Sequence, residues 1–81
     1  MESRPPLELI VEQIARLTKT DREDIRPEAR FIDFGLDSVK ATELVVELEQ
    51  SYGIEIPDRD LADLHTLQDV ASYVERRRED G

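Results

Sequence analysis

Phe31-Ile32-Asp33-Phe34-Gly35-Leu36-Asp37-Ser38-Val39 reads as a loop running into the start of a helix, and the rest of the chain is arranged around it. Gly35 offers either a positive φ or room for a close backbone approach, so the chain can turn sharply there. Asp37 is a favoured N-cap: its carboxylate can accept from free N–H groups of the turn that follows, and its charge suits the positive end of the helix dipole. Ser38 then falls in the first turn, with its hydroxyl at a helix N-terminus. A phosphate ester on that hydroxyl would meet unpaired N–H groups and a favourable dipole, with Asp37 competing for the same field. A serine at a helix start is, taken alone, most often only a cap.

The helix opened by Ser38 is expected to run to about Tyr52 and stop at Gly53, which fits a C′ glycine. Ala41, Leu44, Val45, Leu48 and Tyr52 recur on its inner face, and Lys40, Glu43, Glu47, Glu49 and Gln50 fall mostly outside it. Val39 and Val46 lie off the inner stripe and leave apolar area exposed beside the serine. Upstream, a first helix is expected from Pro5 or Pro6, where a missing N–H does no harm. Leu7, Ile10, Val11, Ile14 and Leu17 form its inner face, with Glu8, Glu12, Gln13 and Arg16 outside.

Between these helices, residues 18–30 break the periodicity. Thr20 and Glu23 have capping-box spacing and predict one short turn, while Pro27 disfavours helix through Arg26. Ile25, Phe31, Ile32 and Phe34 are expected to pin this long loop to a core. Downstream, Ile54-Glu55-Ile56 has no pairing partner and reads as an extended connection. Asp60 is expected to cap a short turn through Leu61 and Leu64. Thr66 caps a last helix with Leu67, Val70, Ala71 and Val74 inward and Asp69 at the reciprocal capping position. Arg76, Arg77 and Arg78 suit its C-terminal dipole, and residues 79–81 are expected to fray. The expected fold is all-α: a small four-helix bundle, three main helices and one short one, with a long loop between helices 1 and 2. Residues 1–81 are expected to form one domain with an ordered core of about 5–77.

Eighty-one residues provide one modest core but no deep cleft, so presentation is favoured over catalysis. Cysteine is absent, which leaves no disulfide, thiolate metal site or cysteine nucleophile. Net charge is −9, with nine acidic and seven basic residues in 1–40 against eleven and four in 41–81. This field repels nucleic acid and anionic membranes and steers basic protein surfaces toward the second half. No apolar run is long enough to span a bilayer, and the N-terminus lacks the regions of a signal peptide, so we expect a cytoplasmic monomer. Met1 and the short tails lead us to expect a discrete protein. His65, the sole histidine, is expected at the surface or near a cap; the acids from Asp58 to Asp63 lack EF-hand spacing, and no metal site is expected.

Phe31, Phe34, Gly35, Asp37, Ser38, Val39 and Glu43-Leu44, followed by Ile54-Glu55-Ile56-Pro57-Asp58 and Thr66-Leu67-Gln68-Asp69-Val70, together resemble the acyl carrier proteins over roughly residues 7–75. The resemblance implies that a phosphopantetheinyl transferase moves 4′-phosphopantetheine from coenzyme A to Ser38, and that the arm's thiol holds an acyl group as a thioester. It implies no catalytic residue in this chain; ketosynthase, acyltransferase or acyl-ligase enzymes with basic docking patches supply the chemistry. Beside such a serine, Asp37, Val39, Lys40, Glu43, Val46, Glu47 and Glu49 become candidate partner contacts. Leu48, Leu61, Leu64 and Val70 would line a space between helices where a carried chain tucks, or simply pack as core. Lys40 replaces an acid common in fatty-acid carriers, and the Ser-Val-Lys-Ala run looks more like carriers of polyketide or mixed polyketide and peptide pathways. The alternative cargo is peptidyl or aminoacyl. A hydrolase built on Ser38 and His65 is disfavoured because no Gly-x-Ser-x-Gly elbow exists. An unmodified helical adaptor is the remaining rival.

Overall fold

A computed structural model describes residues 3–80, apart from the side chains of Ser38 and Asp80. Among the described residues four α-helices form: α1 (Pro6–Thr18), α2 (Ser38–Tyr52), α3 (Asp58–Leu61) and α4 (Leu67–Asp80). Two 3-10 turns, Arg22–Asp24 and Phe31–Phe34, punctuate the α1–α2 loop. Among the described residues there is no strand, only an isolated bridge between Arg30 and Thr66. None of the described helices is long and apolar enough to cross a membrane.

The core forms where three amphipathic faces meet. Leu9, Ile10 and Ile14 of α1, Leu44, Leu48 and Tyr52 of α2, and Leu67, Val70, Ala71 and Val74 of α4 are buried together, with Ile25 and Ile56 from the connections. Each fully buried aliphatic side chain contributes about 1.5–3 kcal/mol of transfer free energy. The first helix packs on both α4 and α2, so its buried stripe is turned from the expected one. Leu9 is central to it, Leu7, Val11 and Leu17 are half-buried, and Gln13, expected outside, is buried. Burial of Gln13 is tolerated because its Oε1 accepts a 2.7 Å hydrogen bond from Arg16.

Each main helix has a physical start and stop. Pro5 and Pro6 open α1, and Lys19, in a left-handed conformation at φ 56°, ends it. Gly53, at φ 65°, closes α2. At the start of α4, all four orphan N–H groups find acceptors: Thr66 donates to Asp69 Oδ2 (3.1 Å), Leu67 to the Ala29 carbonyl (3.1 Å), Gln68 to the Pro27 carbonyl (2.8 Å) and Asp69 to Thr66 Oγ1 (3.0 Å). The long loop is therefore bonded to the last helix, which fixes its path toward Ser38.

Several expectations need correction. The turn at Arg22–Asp24 forms, but Asp21 occupies the N-cap and no side chain caps it; Thr20 pairs with Thr18 instead. Ile32 is 72% exposed and pins nothing, because a 3-10 turn points it away while Phe31 and Phe34 take the core side. Pro57, not Asp60, precedes α3, and the Asp60 carboxylate accepts from Tyr73. The last helix continues through Glu79 to Asp80 rather than fraying there; Gly81 lies outside the described residues. Arg77 and Arg78 hold that end: they lie 5.6 Å and 4.8 Å from the ring centroids of Tyr73 and Tyr52 and carry charge suited to the dipole.

Candidate functional site at the start of α2

The loop reaches α2 through two stacked turns. Arg30 N–H donates to the Asp33 carboxylate and Asp33 N–H to the Arg30 carbonyl, both at 3.0 Å, closing the turn that carries Phe31 and Phe34 inward. Asp33 has no role that sequence reading assigned; its spacing from Arg30 is the only signal. Gly35 follows at φ 69° and donates to the Ile32 carbonyl. A Cβ there would meet nothing within 4 Å, so backbone conformation, not close approach, is why glycine fits.

Asp37 then caps α2 as expected. Its Oδ1 accepts from Lys40 N–H at 2.8 Å, and its carbonyl accepts the first helical bond from Ala41 N–H at 2.9 Å. Ser38 is the first residue of α2. Its side chain lies outside the described part of the structure, but its surroundings do not: Asp37, Val39 and Lys40 are exposed, Val39 to 65%. The N–H groups of positions 38 and 39 have no acceptor within the helix by geometry. A phosphodiester at this position would meet solvent and a helix N-terminus, so the local structure fits such a group.

Along α2, Val39, Glu43 and Val46 recur at i, i+4 and i+7 on one exposed row that begins beside Ser38. Val46 is 41% exposed. Lys40, exposed, and Glu47, half-buried, occupy the neighbouring row. Glu49 stands apart, about 16 Å along the axis from Ser38. Its Oε2 accepts from Ile56 N–H at 2.8 Å, tying the α2–α3 connection to α2.

Beneath this face is an apolar, partly open cavity of about 200 Å³. Leu48, Leu61, Leu64 and Val70 all line it, joined by Phe31, Ala41, Leu44 and Val45. The last four were legible as a pin and an inner helix face, but not as cavity walls. Ala41 brings the cavity within one helical turn of Ser38.

At the far end, Thr66 and Asp69 form the expected reciprocal cap. Asp69 also accepts from His65 N–H at 3.1 Å. The Thr66 and then the His65 backbone bonds hold the Asp69 carboxyl below the ordinary carboxylate value. His65 itself is exposed, and no metal-binding group occurs among the described residues.

Comparison with known proteins agrees with this architecture. A family model described as "Phosphopantetheine attachment site" matches residues 8–74. An acyl carrier protein of Bdellovibrio bacteriovorus is 44% identical over 71 residues, covering 86% of each chain. A meromycolate extension acyl carrier protein of Mycobacterium tuberculosis is 39% identical over 88% of this chain, which spans 63% of that relative's length. Among solved structures, a free-standing peptidyl carrier protein from Acinetobacter baumannii superposes with a TM-score of 0.76 at 27% identity, covering 88% of this chain and 89% of that one. The HMG-ACPI domain of the CurA module from Lyngbya majuscula gives 0.76 at 25% identity, over 94% of this chain and 78% of that one. The capped helix start, the matching family model and this set of relatives lead to one conclusion: the chain belongs to the acyl carrier protein family, non-catalytic carriers of 4′-phosphopantetheine that are modified by a phosphopantetheinyl transferase and work with biosynthetic enzymes.

Proposed function

We propose that Ser38 is the attachment point for 4′-phosphopantetheine and that the chain, as one carrier domain, carries acyl groups between enzymes of a polyketide-type or fatty-acid pathway. The observation that carries the assignment is the placement of Ser38 as the first residue of α2, behind the Asp37 cap and flanked by exposed residues. When bound, the group supplies a thiol on a flexible arm, a function this cysteine-free chain lacks.

The chain's own residues do the presenting. Asp37 and the Arg30–Asp33 turn hold the start of α2 in one geometry, so an enzyme meets position 38 in a fixed setting. Val39, Glu43 and Val46 supply a row of mixed apolar and acidic character that basic enzyme surfaces can engage, with Lys40 and Glu47 at its side. Steering by the net charge of −9 raises encounter rates with such surfaces and falls with salt. We assign Glu49 to the structural bond with Ile56 rather than to docking. Leu48, Leu61, Leu64 and Val70 are assigned to shielding a carried chain inside the cavity.

Acyl cargo is supported by the relatives named acyl carrier proteins, the first of them 44% identical. Within that class, the Ser38-Val39-Lys40-Ala41 run supports the polyketide-type reading. Peptidyl or aminoacyl cargo is the second reading, favoured by the structural likeness to the free-standing peptidyl carrier. Loading the modified protein separately with acyl and aminoacyl donors, each with its own ligase, tests the choice. Faster acyl loading is expected; aminoacyl loading alone would reverse the assignment.

A further inference from the structure

The cavity walls are unequally secured. On one side stand Ala41, Leu44, Val45 and Leu48 of the 15-residue α2, and on another Val70 of the 14-residue α4. Facing them are Leu61 and Leu64, carried by α3 and the turn after it. That helix has four residues and no side-chain cap, far short of the ~12–15 at which a helix begins to hold itself. Its position depends on links from the larger helices. Glu49 holds the connection before it through Ile56 N–H at 2.8 Å, and Tyr73 of α4 donates its hydroxyl to Asp60 Oδ2 at 2.7 Å. The second link belongs to α3 itself, one residue before Leu61. Burial, and then the Asp60 bond, push the Tyr73 phenol above its ordinary value, so its O–H remains a donor at neutral pH.

Size sharpens the point. An apolar cavity of ~150 Å³ takes a benzene-sized molecule. The space here, about 200 Å³ and partly open, surrounds only a short stretch of aliphatic chain unless a wall moves. We infer that the Asp60–Tyr73 hydrogen bond is a latch on α3 that sets how large an apolar group the cavity accepts, making the two residues a positioning pair for cargo. The inference rests on the reading that the cavity shields the carried chain.

Two measurements test it, the first needing no cargo. Hydrogen exchange in the unmodified protein follows the amides of Leu61, Ala62 and Leu64, which bond to Pro57, Asp58 and Leu61 carbonyls within α3 and its exit turn. Tyr73→Phe keeps the ring and removes the donor. It should speed exchange at those three amides by about tenfold, the scale expected for losing a bond to a charged acceptor, and leave the buried amides of α1 and α2 unchanged. Asp60→Asn, which retains an acceptor oxygen, should give a smaller increase at the same amides. Unchanged exchange, or an equal rise throughout the chain, overturns the latch.

The second measurement attaches hydrolysis-resistant hexanoyl or dodecanoyl pantetheine analogues and follows the methyl resonances of Leu48, Leu61 and Val70. The latch predicts that Tyr73→Phe shifts the dodecanoyl spectra further toward a chain-inserted state than wild type, with little difference for hexanoyl. Equal dodecanoyl insertion in both proteins overturns the capacity claim. If no cavity methyl responds to either chain in either protein, the cargo reading of the cavity fails and the capacity claim with it, while the exchange result still decides whether α3 is latched.

Discussion

Gly35 provides a sharp test of how the loop delivers α2. Its φ of 69° is left-handed, and an added Cβ would touch nothing within 4 Å. Replacing Gly35 by alanine therefore carries no clash with the rest of the fold, only the conformational cost of a side-chained residue in that region, about 1–2 kcal/mol. Part of this is offset because alanine restricts the unfolded chain, worth about 0.4–1 kcal/mol. The net expectation is a destabilisation of about 1 kcal/mol. In urea, where a small domain has a slope near 1 kcal/mol/M, the midpoint should fall by about 1 M with the slope unchanged. A thermal scan should show a drop of roughly 4–8 °C for a domain of this length. Gly35→Asn should lie between wild type and alanine, because asparagine tolerates the left-handed region better. Gly35→Val should be the worst of the three, being β-branched. A Gly35→Ala midpoint equal to wild type, or an asparagine variant no better than alanine, would refute the argument that backbone conformation selects this glycine.

Three other substitutions probe separate links. Asp37→Ala should lose about 1 kcal/mol with the cap bond to Lys40 N–H, whereas Asp37→Asn should keep stability and slow transfer of the phosphopantetheine group; chemical denaturation and a transferase assay read the two effects independently. Asp69 has a folded pKa held below its unfolded one, so its contribution is fully present above the unfolded value of about 3.9 and is lost as pH falls through the folded value. Stability against pH should accordingly show wild type and Asp69→Asn furthest apart near neutrality and converging in acid; a pH-independent gap would contradict this. Ile32→Ser should change stability by no more than about 0.5 kcal/mol because the side chain is exposed, while Ile25→Ala, seven residues earlier and buried, should lose about 2–5 kcal/mol. Equal effects in urea melts would mean that the two loop isoleucines have been placed wrongly.

The parts of the fold legible in the sequence are those where a cap and a clean period coincide. Asp37 and Gly53 bracket α2, and Thr66 with Asp69 opens α4, so both inward faces were readable. The first helix was readable as a helix but not in its rotation, because α4 and α2 both cover it and its apolar stripe is broad enough to hide Gln13. Loop residues have no period, so patterning did not distinguish exposed Ile32 from half-buried Phe31 and Phe34; only the family resemblance singled out the two phenylalanines. The bonds from Leu67 and Gln68 to the loop used backbone carbonyls of Ala29 and Pro27, which have no signature in residue identity. At the site, Asp37, Ser38, Val39 and Glu43 formed a readable local cluster. The family resemblance alone grouped Leu48, Leu61, Leu64 and Val70 as walls of one space, whereas joining Phe31, Ala41, Leu44 and Val45 to them required tertiary structure, as did the bond from Ile56 N–H to Glu49.

Every role proposed here depends on the Ser38 hydroxyl being the tether. Intact-mass spectrometry, before and after incubation with coenzyme A, Mg²⁺ and a broad-specificity phosphopantetheinyl transferase, tests it most directly. Wild type should gain the mass of one 4′-phosphopantetheine, with fragmentation placing it on Ser38, and folded Ser38→Ala should gain nothing. An unmodified wild-type chain under conditions that modify a control carrier, or a Ser38→Ala variant that still takes up the group, would contradict it.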